Sequence, residues 1–231
     1  MDKNTIEVKL SLIRNNKKKI IKFKYKKKSQ EERPMALDIL LQVQEKKIDD
    51  LAFRYGCRAR NCGICTIDVN NKPRLACRSR VKEGDTLSAI NTLPIIQDFV
   101  VERDKISKQM IGYNKISLKN NLNVEADITY HKLTACIECY ACLEGCPMHA
   151  KNDFSENKDA YTYGNPFSLL KLQRLYVDPL TPDYEKATII SKAKSLGLET
   201  CLECPGCKCS VGINLKEDVI KPLLEKGFKR N

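Results

Sequence analysis

The 231-residue chain contains no tryptophan and only two histidines, His131 and His149. It also lacks any apolar run near the roughly 18 residues that a membrane-spanning helix requires; candidates such as Leu93 to Ile96 are short and interrupted. Attachment to a membrane is therefore expected only through other chains. None of the ten glycines stands in a Gly-x-Gly pair, so the phosphate-binding fingerprint of dinucleotide folds is missing. A flavin or nicotinamide is expected on another chain. Met1, Asp2, Lys3 and Asn4 lead straight into an alternating segment, with neither the apolar stretch of a secretory signal nor an Arg-rich transit peptide. The expected compartment is reducing, on the cytoplasmic side of the cell membrane, where thiols stay available as thiolates.

Against these absences stand twelve cysteines. In a reducing compartment that number points to metal ligation rather than disulfides. Lys and Arg total 41 against 29 Asp and Glu, a formal charge of +12. Twelve thiolates holding three oxidised iron–sulfur cores would bring this to about +6, because the inorganic ions belong in the sum. The basic residues lack interleaved base-stacking aromatics beyond Phe23 and Tyr25, so no nucleic-acid partner is expected. The lysines of the Lys17 to Lys28 stretch read as a solvated strand face.

Alternation of Ile6, Val8, Leu10 and Leu12 predicts a strand over Ile6 to Arg14, and Ile21, Phe23 and Tyr25 predict another over Ile21 to Lys26. The polar Asn15-Asn16 pair is the turn between them. Pro34 opens a helix carried by Leu37, Leu40, Leu41 and Val43 and ending near Lys47. Strands follow at Ile64 to Val69, Pro73 to Ala76 and Thr86 to Ile90, the first two joined at Asn70-Asn71. Residues 1–95 thus read as a small α+β sheet domain. Residues 96–231 read as helical, with helices over Phe167 to Tyr176, Tyr184 to Leu196 and Val219 to Lys226.

Cys57, Cys62 and Cys65 form Cys-x4-Cys-x2-Cys, with Cys77 a distant fourth. This is the spacing of a plant-type 2Fe-2S centre, and Gly56 and Gly63 let the backbone bend closely around its sulfurs. A zinc site prefers Cys-x2-Cys pairs at both ends; here only Cys62 and Cys65 make one. Cys136, Cys139, Cys142 and Cys146-Pro147 form Cys-x2-Cys-x2-Cys-x3-Cys-Pro, a bacterial ferredoxin run whose fourth cysteine serves the other cluster. The partner group is Cys201, Cys204, Cys207 and Cys209. Reciprocal ligation gives a first 4Fe-4S cluster on Cys136, Cys139, Cys142 and Cys209, and a second cluster on Cys146, Cys201, Cys204 and Cys207. Only Lys208 separates the last two cysteines, and Ser210 stands where proline is usual. Two alternatives stay open: Cys209 closing the cluster of its own group, or a 3Fe-4S centre with one thiol left over. His149 is read as a surface or second-sphere imidazole, and no residue of the chain is expected to act on substrate.

Cys57-Arg58, Cys62-Gly63-Ile64-Cys65, Leu75-Ala76-Cys77 and Gly164-Asn165-Pro166 resemble, across nearly the whole chain, the iron–sulfur subunits of the succinate dehydrogenase and fumarate reductase family. The resemblance implies an N-terminal β-grasp plant-type 2Fe-2S ferredoxin domain followed by an all-α ferredoxin-like domain. It implies an electron relay between a flavoprotein carrying covalent FAD and quinone or another acceptor on a membrane-anchor or membrane-associated subunit. The centre of Cys57, Cys62, Cys65 and Cys77 would be the one nearest the flavin. Most members have an apolar or small residue where Cys204 stands, so an extra cysteine resembles the archaeal-type variant with a second 4Fe-4S cluster. Quinone-reactive members carry tryptophan shortly after Cys-Pro, whereas this chain has Met148, His149, Ala150 and Lys151. The alternative is a relay from a different flavoprotein dehydrogenase into a heterodisulfide-reductase-like thiol module.

Overall fold

The computed structural model describes residues 4–112 and 124–228; Met1 to Lys3, on which the reading of the amino terminus partly rests, lie outside them. The described chain divides into two compact units of mixed α+β and helical character. The first runs to Glu102 and also takes in Ile137–Glu144; the second holds the described residues of Arg103–Cys136 and those from Gly145 onward.

In the first unit β1 (Thr5–Arg14) and β2 (Lys17–Lys26) pair antiparallel along their full length, from Thr5 opposite Lys26 to Arg14 opposite Lys17. Asn15 (φ 50°) and Asn16 (φ 58°) close the hairpin, both left-handed, a conformation that asparagine tolerates and that matches strand twist in a two-residue turn. β2 therefore starts four residues before the expected Ile21. The lysines that begin it carry no apolar alternation, and only pairing with β1 makes them strand. A second Asn-Asn turn, Asn70 (φ 52°) and Asn71 (φ 59°), joins β3 (Thr66–Val69) to β4 (Lys72–Leu75). With β5 (Thr86–Ser88), parallel to β1 and antiparallel to β3, the sheet runs β2-β1-β5-β3-β4.

Helix α1 (Ala36–Lys46) buries Ala36, Leu37, Ile39, Leu40 and Val43, and these share one core with Val8, Leu10, Leu12, Phe23, Tyr25, Ile67 and Leu87. Each large apolar side chain so buried contributes roughly 1.5–3 kcal/mol. The Asp38 carboxylate accepts from the Met35 N–H at 3.1 Å, satisfying one of the donors a helix start leaves open. Past residue 95 the chain makes a further hairpin, β6 (Ile95–Gln97) with β7 (Val100–Val101), too short to leave a periodic signal.

The second unit's described elements are helical: α2 (Asp104–Lys108), α3 (Ile128–Thr134), α4 (Pro166–Val177), α5 (Asp183–Ser195) and α6 (Lys221–Gly227). The Asp127 carboxylate caps α3, accepting from Thr129 N–H at 2.6 Å and Tyr130 N–H at 3.0 Å. Asn165 caps α4 by accepting from Ser168 N–H at 3.0 Å, with Pro166 at the first helical position. Buried Gln109 donates to the Tyr161 and Tyr163 carbonyls, each at 2.8 Å, and accepts from Ser168 Oγ at 2.7 Å. That one side chain ties α4 to the loop before it. Where the sequence predicts one closing helix from Val219, a wide π turn (Lys216–Ile220) precedes α6.

Candidate metal centres

The loop from Cys57 to Cys65 leaves α1 by way of Leu51 and Ala52 and returns into β3. Arg58 (φ 54°), Arg60 (φ 66°) and Gly63 (φ 63°) are left-handed, and this turns intervening N–H groups inward as in an anion-binding nest. Ala59 and Asn61 N–H donate to Cys57 Sγ at 3.3 and 3.2 Å, and these bonds hold that exposed thiol down to about 7. A Cβ on Gly56 would stand 3.5 Å from Cys62 Sγ. Thr66 Oγ1 donates to the Gly63 carbonyl at 2.8 Å, and Ala76 N–H to the Cys65 carbonyl at 3.0 Å, fixing the end of the loop that enters β3 against the segment before Cys77.

The four thiols act on one another. Cys57 interacts with Cys62, and Cys65 with both Cys62 and Cys77. Burial, reinforced by Cys77 and Cys62, pushes the Cys65 thiol up to about 11. As thiolates, the form that binds metal, they would be stabilised by a cationic core. Four sulfurs with N–H donors aimed at one of them fit a 2Fe-2S core.

Cys139 and Cys142 lie in the segment that packs with the first unit. Cys139 is buried in the sheet domain's core, with Ile137 and Ala141 against it. Glu138 (φ 54°) and Tyr140 (φ 59°) are left-handed on either side of it, and Cys142 sits in the short turn Ala141–Leu143. Cys136 follows α3 in the second unit.

The second unit brings Cys146 together with Cys201, Cys204 and Cys207. Burial pushes the Cys146 thiol up, opposed by N–H donation from His149 and Met148, with Cys204 adding to the rise. Cys201 is pushed up to about 12 by burial and then by Cys146, Cys207 and Cys204. Cys207 is pushed up to about 11 by burial, then by Cys146 and Cys204. A cavity of about 220 Å³ opens beside Cys201, Cys204 and Cys207, walled by Ile220 and Leu224. The sulfur-only donor set, half-buried and next to an apolar wall, fits a cubane-type cluster. Cys209 is half-exposed and is not among the thiols that perturb Cys146, Cys201 or Cys207.

Of the two positions expected for His149, surface or second sphere, the structure excludes the first: it is 3% exposed, its backbone N–H lies 3.5 Å from Cys146 Sγ, and its ring packs edge-on against Phe154 at 5.3 Å and Tyr161 at 5.8 Å. The lysines of β2 lie on the sheet's edge strand, where charge discourages pairing with another chain, and Lys22 pairs with Glu7 at 3.2 Å. Sequence reasoning missed Asp68. It is 1% exposed on β3, and burial holds its carboxyl up to about 6. Its Oδ2 accepts from Asn91 N–H at 3.3 Å, whereas Oδ1 has no hydrogen-bond partner. A lone acid in the apolar run Thr66-Ile67-Asp68-Val69 was the available signal.

Residues 7–108 match the family model described as a 2Fe-2S iron-sulfur cluster binding domain. The chain is 28% identical over 199 residues to a subunit of the fumarate reductase (CoM/CoB) of Methanothermobacter marburgensis, covering 83% of this chain and 38% of that one. It is 30% identical over 128 residues to the fumarate reductase iron-sulfur subunit of Escherichia coli O6:H1, about half of each. Among solved structures, a chain of the Mycobacterium smegmatis Sdh1 complex in the apo form superposes with a TM-score of 0.78 at 19% identity, covering 96% of this chain and 95% of that one; this likeness speaks for the fold. The chain spans between 35% and 40% of the length of the curated methanogen relatives it matches.

Proposed function

We propose that this chain, which belongs to the iron–sulfur subunits of the succinate dehydrogenase and fumarate reductase family, relays electrons between an FAD-bearing flavoprotein and an acceptor subunit at the cytoplasmic face of the membrane. No helix among its described residues is long and apolar enough to cross a membrane. The β-grasp domain of residues 1–95 holds a 2Fe-2S centre on Cys57, Cys62, Cys65 and Cys77. One 4Fe-4S cluster sits on Cys136, Cys139, Cys142 and Cys209, all within the sequence segment 96–231. A second sits on Cys146, Cys201, Cys204 and Cys207. The observation that carries the reading is the mutual action of Cys146 and the Cys201, Cys204 and Cys207 thiols. It crosses the two sequence motifs in the way reciprocal ligation requires.

Iron–sulfur clusters, when bound, supply one-electron transfer without bond chemistry. The protein's part is to hold them and set their charge. Inward N–H groups at Ala59 and Asn61 oppose the negative charge gathered on Cys57, and His149 N–H does the same for Cys146 at 3.5 Å. Cys204 as a fourth ligand makes the second cluster four-iron, as in the archaeal-type variant.

Anaerobic purification with iron counting and low-temperature electron paramagnetic resonance tests this. About ten irons and no oxidised three-iron signal are expected; an isotropic three-iron signal in undamaged material would overturn the two-cubane assignment. A second reading makes the acceptor a thiol module. It is favoured by the likeness to a relative named for CoM/CoB and by Met148-His149-Ala150-Lys151 where quinone-reactive members place tryptophan. In the co-purified complex, succinate oxidation with quinone as acceptor, set against fumarate reduction with a thiol pair as donor and release of the disulfide, separates the two.

A further inference from the structure

Gly63 lies between Cys62 and Cys65, and its backbone abuts the Ile137–Cys139 segment inside the first unit. A Cβ built there would overlap the Ile137 carbonyl oxygen and stand 2.9 Å from both Cys139 N and Cys139 Cα. Real side-chain carbons are essentially never that close to backbone, and backbone cannot swing aside as a flexible side chain can. The neighbouring Gly56 meets only the Cys62 sulfur and an Ile64 methyl, both beyond 3.4 Å. Gly63 is thus the place where the loop of one cysteine group touches, main chain to main chain, a ligand of the next.

We infer that Gly63 is a positioning residue for electron transfer, setting how closely the loop that bears Cys57, Cys62 and Cys65 approaches Cys139, a ligand of the next centre. The inference rests on the relay reading. One electron leaves the first centre, which is oxidised by one unit, and arrives at the second, which is reduced by one. No bond forms or breaks and no proton moves. The path runs from Cys62 through the peptide to Gly63, across one contact gap, and into Cys139. Electron tunnelling weakens steeply with the width of such a gap. A methyl group at residue 63 forces the two segments apart by about 0.5 Å at Cys139 before ordinary contact at 3.4 Å is restored, and by more at Ile137.

The test compares Gly63→Ala with Gly84→Ala in the holo complex. Gly84 has a similar left-handed φ of +82°, but nothing lies within 4 Å of its Cβ position, so it controls for backbone strain. The readouts are iron and sulfide content, the resonance spectrum and midpoint potential of the cluster on Cys139, and the inter-centre transfer rate by freeze-quench. Gly63→Ala is expected to slow transfer several-fold and to alter the spectrum of the Cys139 cluster, while Gly84→Ala changes neither. An unchanged rate and an unchanged Cys139-cluster spectrum in Gly63→Ala overturn the inference. If Gly63→Ala loses its 2Fe-2S centre, the Cys139-cluster spectrum is compared with that of Cys57→Ala, which removes the centre without adding a methyl group; identical spectra overturn the inference and a further shift supports it. A wild-type complex without these two centres would instead sink the relay reading itself.

Discussion

Removing the Arg14 guanidinium should unfold the sheet domain more readily and loosen the loop that leads to Cys57. Arg14 Nε and Nη2 donate to Asp98 at 2.9 and 2.7 Å, and Nη1 donates to Asp50 at 2.8 Å. Asp98 has no side-chain exposure, whereas Asp50 is 64% exposed. The Asp98 carboxylate also accepts from Ala52 N–H at 3.0 Å, and Phe99 N–H donates to the Ala52 carbonyl at 3.0 Å. Ala52 therefore depends on Asp98, and the chain from Ala52 runs straight into the cysteine loop. Arg14→Met leaves a buried carboxylate without its cation, a change that costs about 3–5 kcal/mol. Arg14 is 35% exposed, so water can partly replace it and the lower end, about 3 kcal/mol, is expected. Asp50→Asn should cost no more than about 0.5 kcal/mol, as exposed pairs do. Asp98→Asn combined with Arg14→Met should cost less than the sum of the single changes, because the pair then disappears together. Anaerobic urea unfolding followed by circular dichroism measures these differences, and visible absorption on the same samples measures retention of the 2Fe-2S centre. A cost below about 1 kcal/mol for Arg14→Met, or strict additivity, would refute the reasoning.

Asp68 gives a pH dependence of known sign. Its folded carboxyl is raised to about 6 from 3.8, so its favourable contribution is complete below pH 3.8 and is lost as pH rises through 6. Asp68→Asn should therefore stabilise the protein by about 3 kcal/mol at pH 8 and by nothing near pH 4, read as unfolding midpoints across pH; a gain independent of pH would refute it. Cys204→Ala should lower the iron count from about ten to about nine and produce an oxidised three-iron resonance; an unchanged count would refute Cys204 as a ligand. Asn165→Ala removes the buried cap on α4 and should cost about 1–2 kcal/mol, seen calorimetrically as a melting temperature roughly 2–8 °C lower.

The elements that carry their own periodicity were legible in the residues. Val8, Leu10 and Leu12 alternate and are buried, both Asn-Asn pairs are turns, and α4 and α5 fall within a residue or two of where their apolar spacing and their prolines place them. What was illegible depends on contacts between distant parts of the chain. Nothing local in Lys17 to Ile20 says strand; pairing with Ser11 to Arg14 does. Nothing in Ile137 to Glu144 says that it packs on the sheet. The cysteine spacing nominates the groups and, through the ferredoxin run, the crossing of Cys146 to Cys201, Cys204 and Cys207; what the spacing does not carry is the burial of Cys146, Cys201 and Cys207, which depends on the packing around them. His149 illustrates the same limit, since a polar residue after Cys-Pro gives no hint of the aromatic pocket that encloses it.

Because Cys139 is part of the sheet domain's core, that domain is not finished when its last strand leaves the ribosome. The nascent β-sheet must wait, with a patch of its interior open, until the segment that starts at Ile137 has been synthesised. Construction of the first compact body is thereby tied to the arrival of the second cysteine motif. A product terminated near Glu102 would carry Cys57, Cys62, Cys65 and Cys77 and still lack a wall.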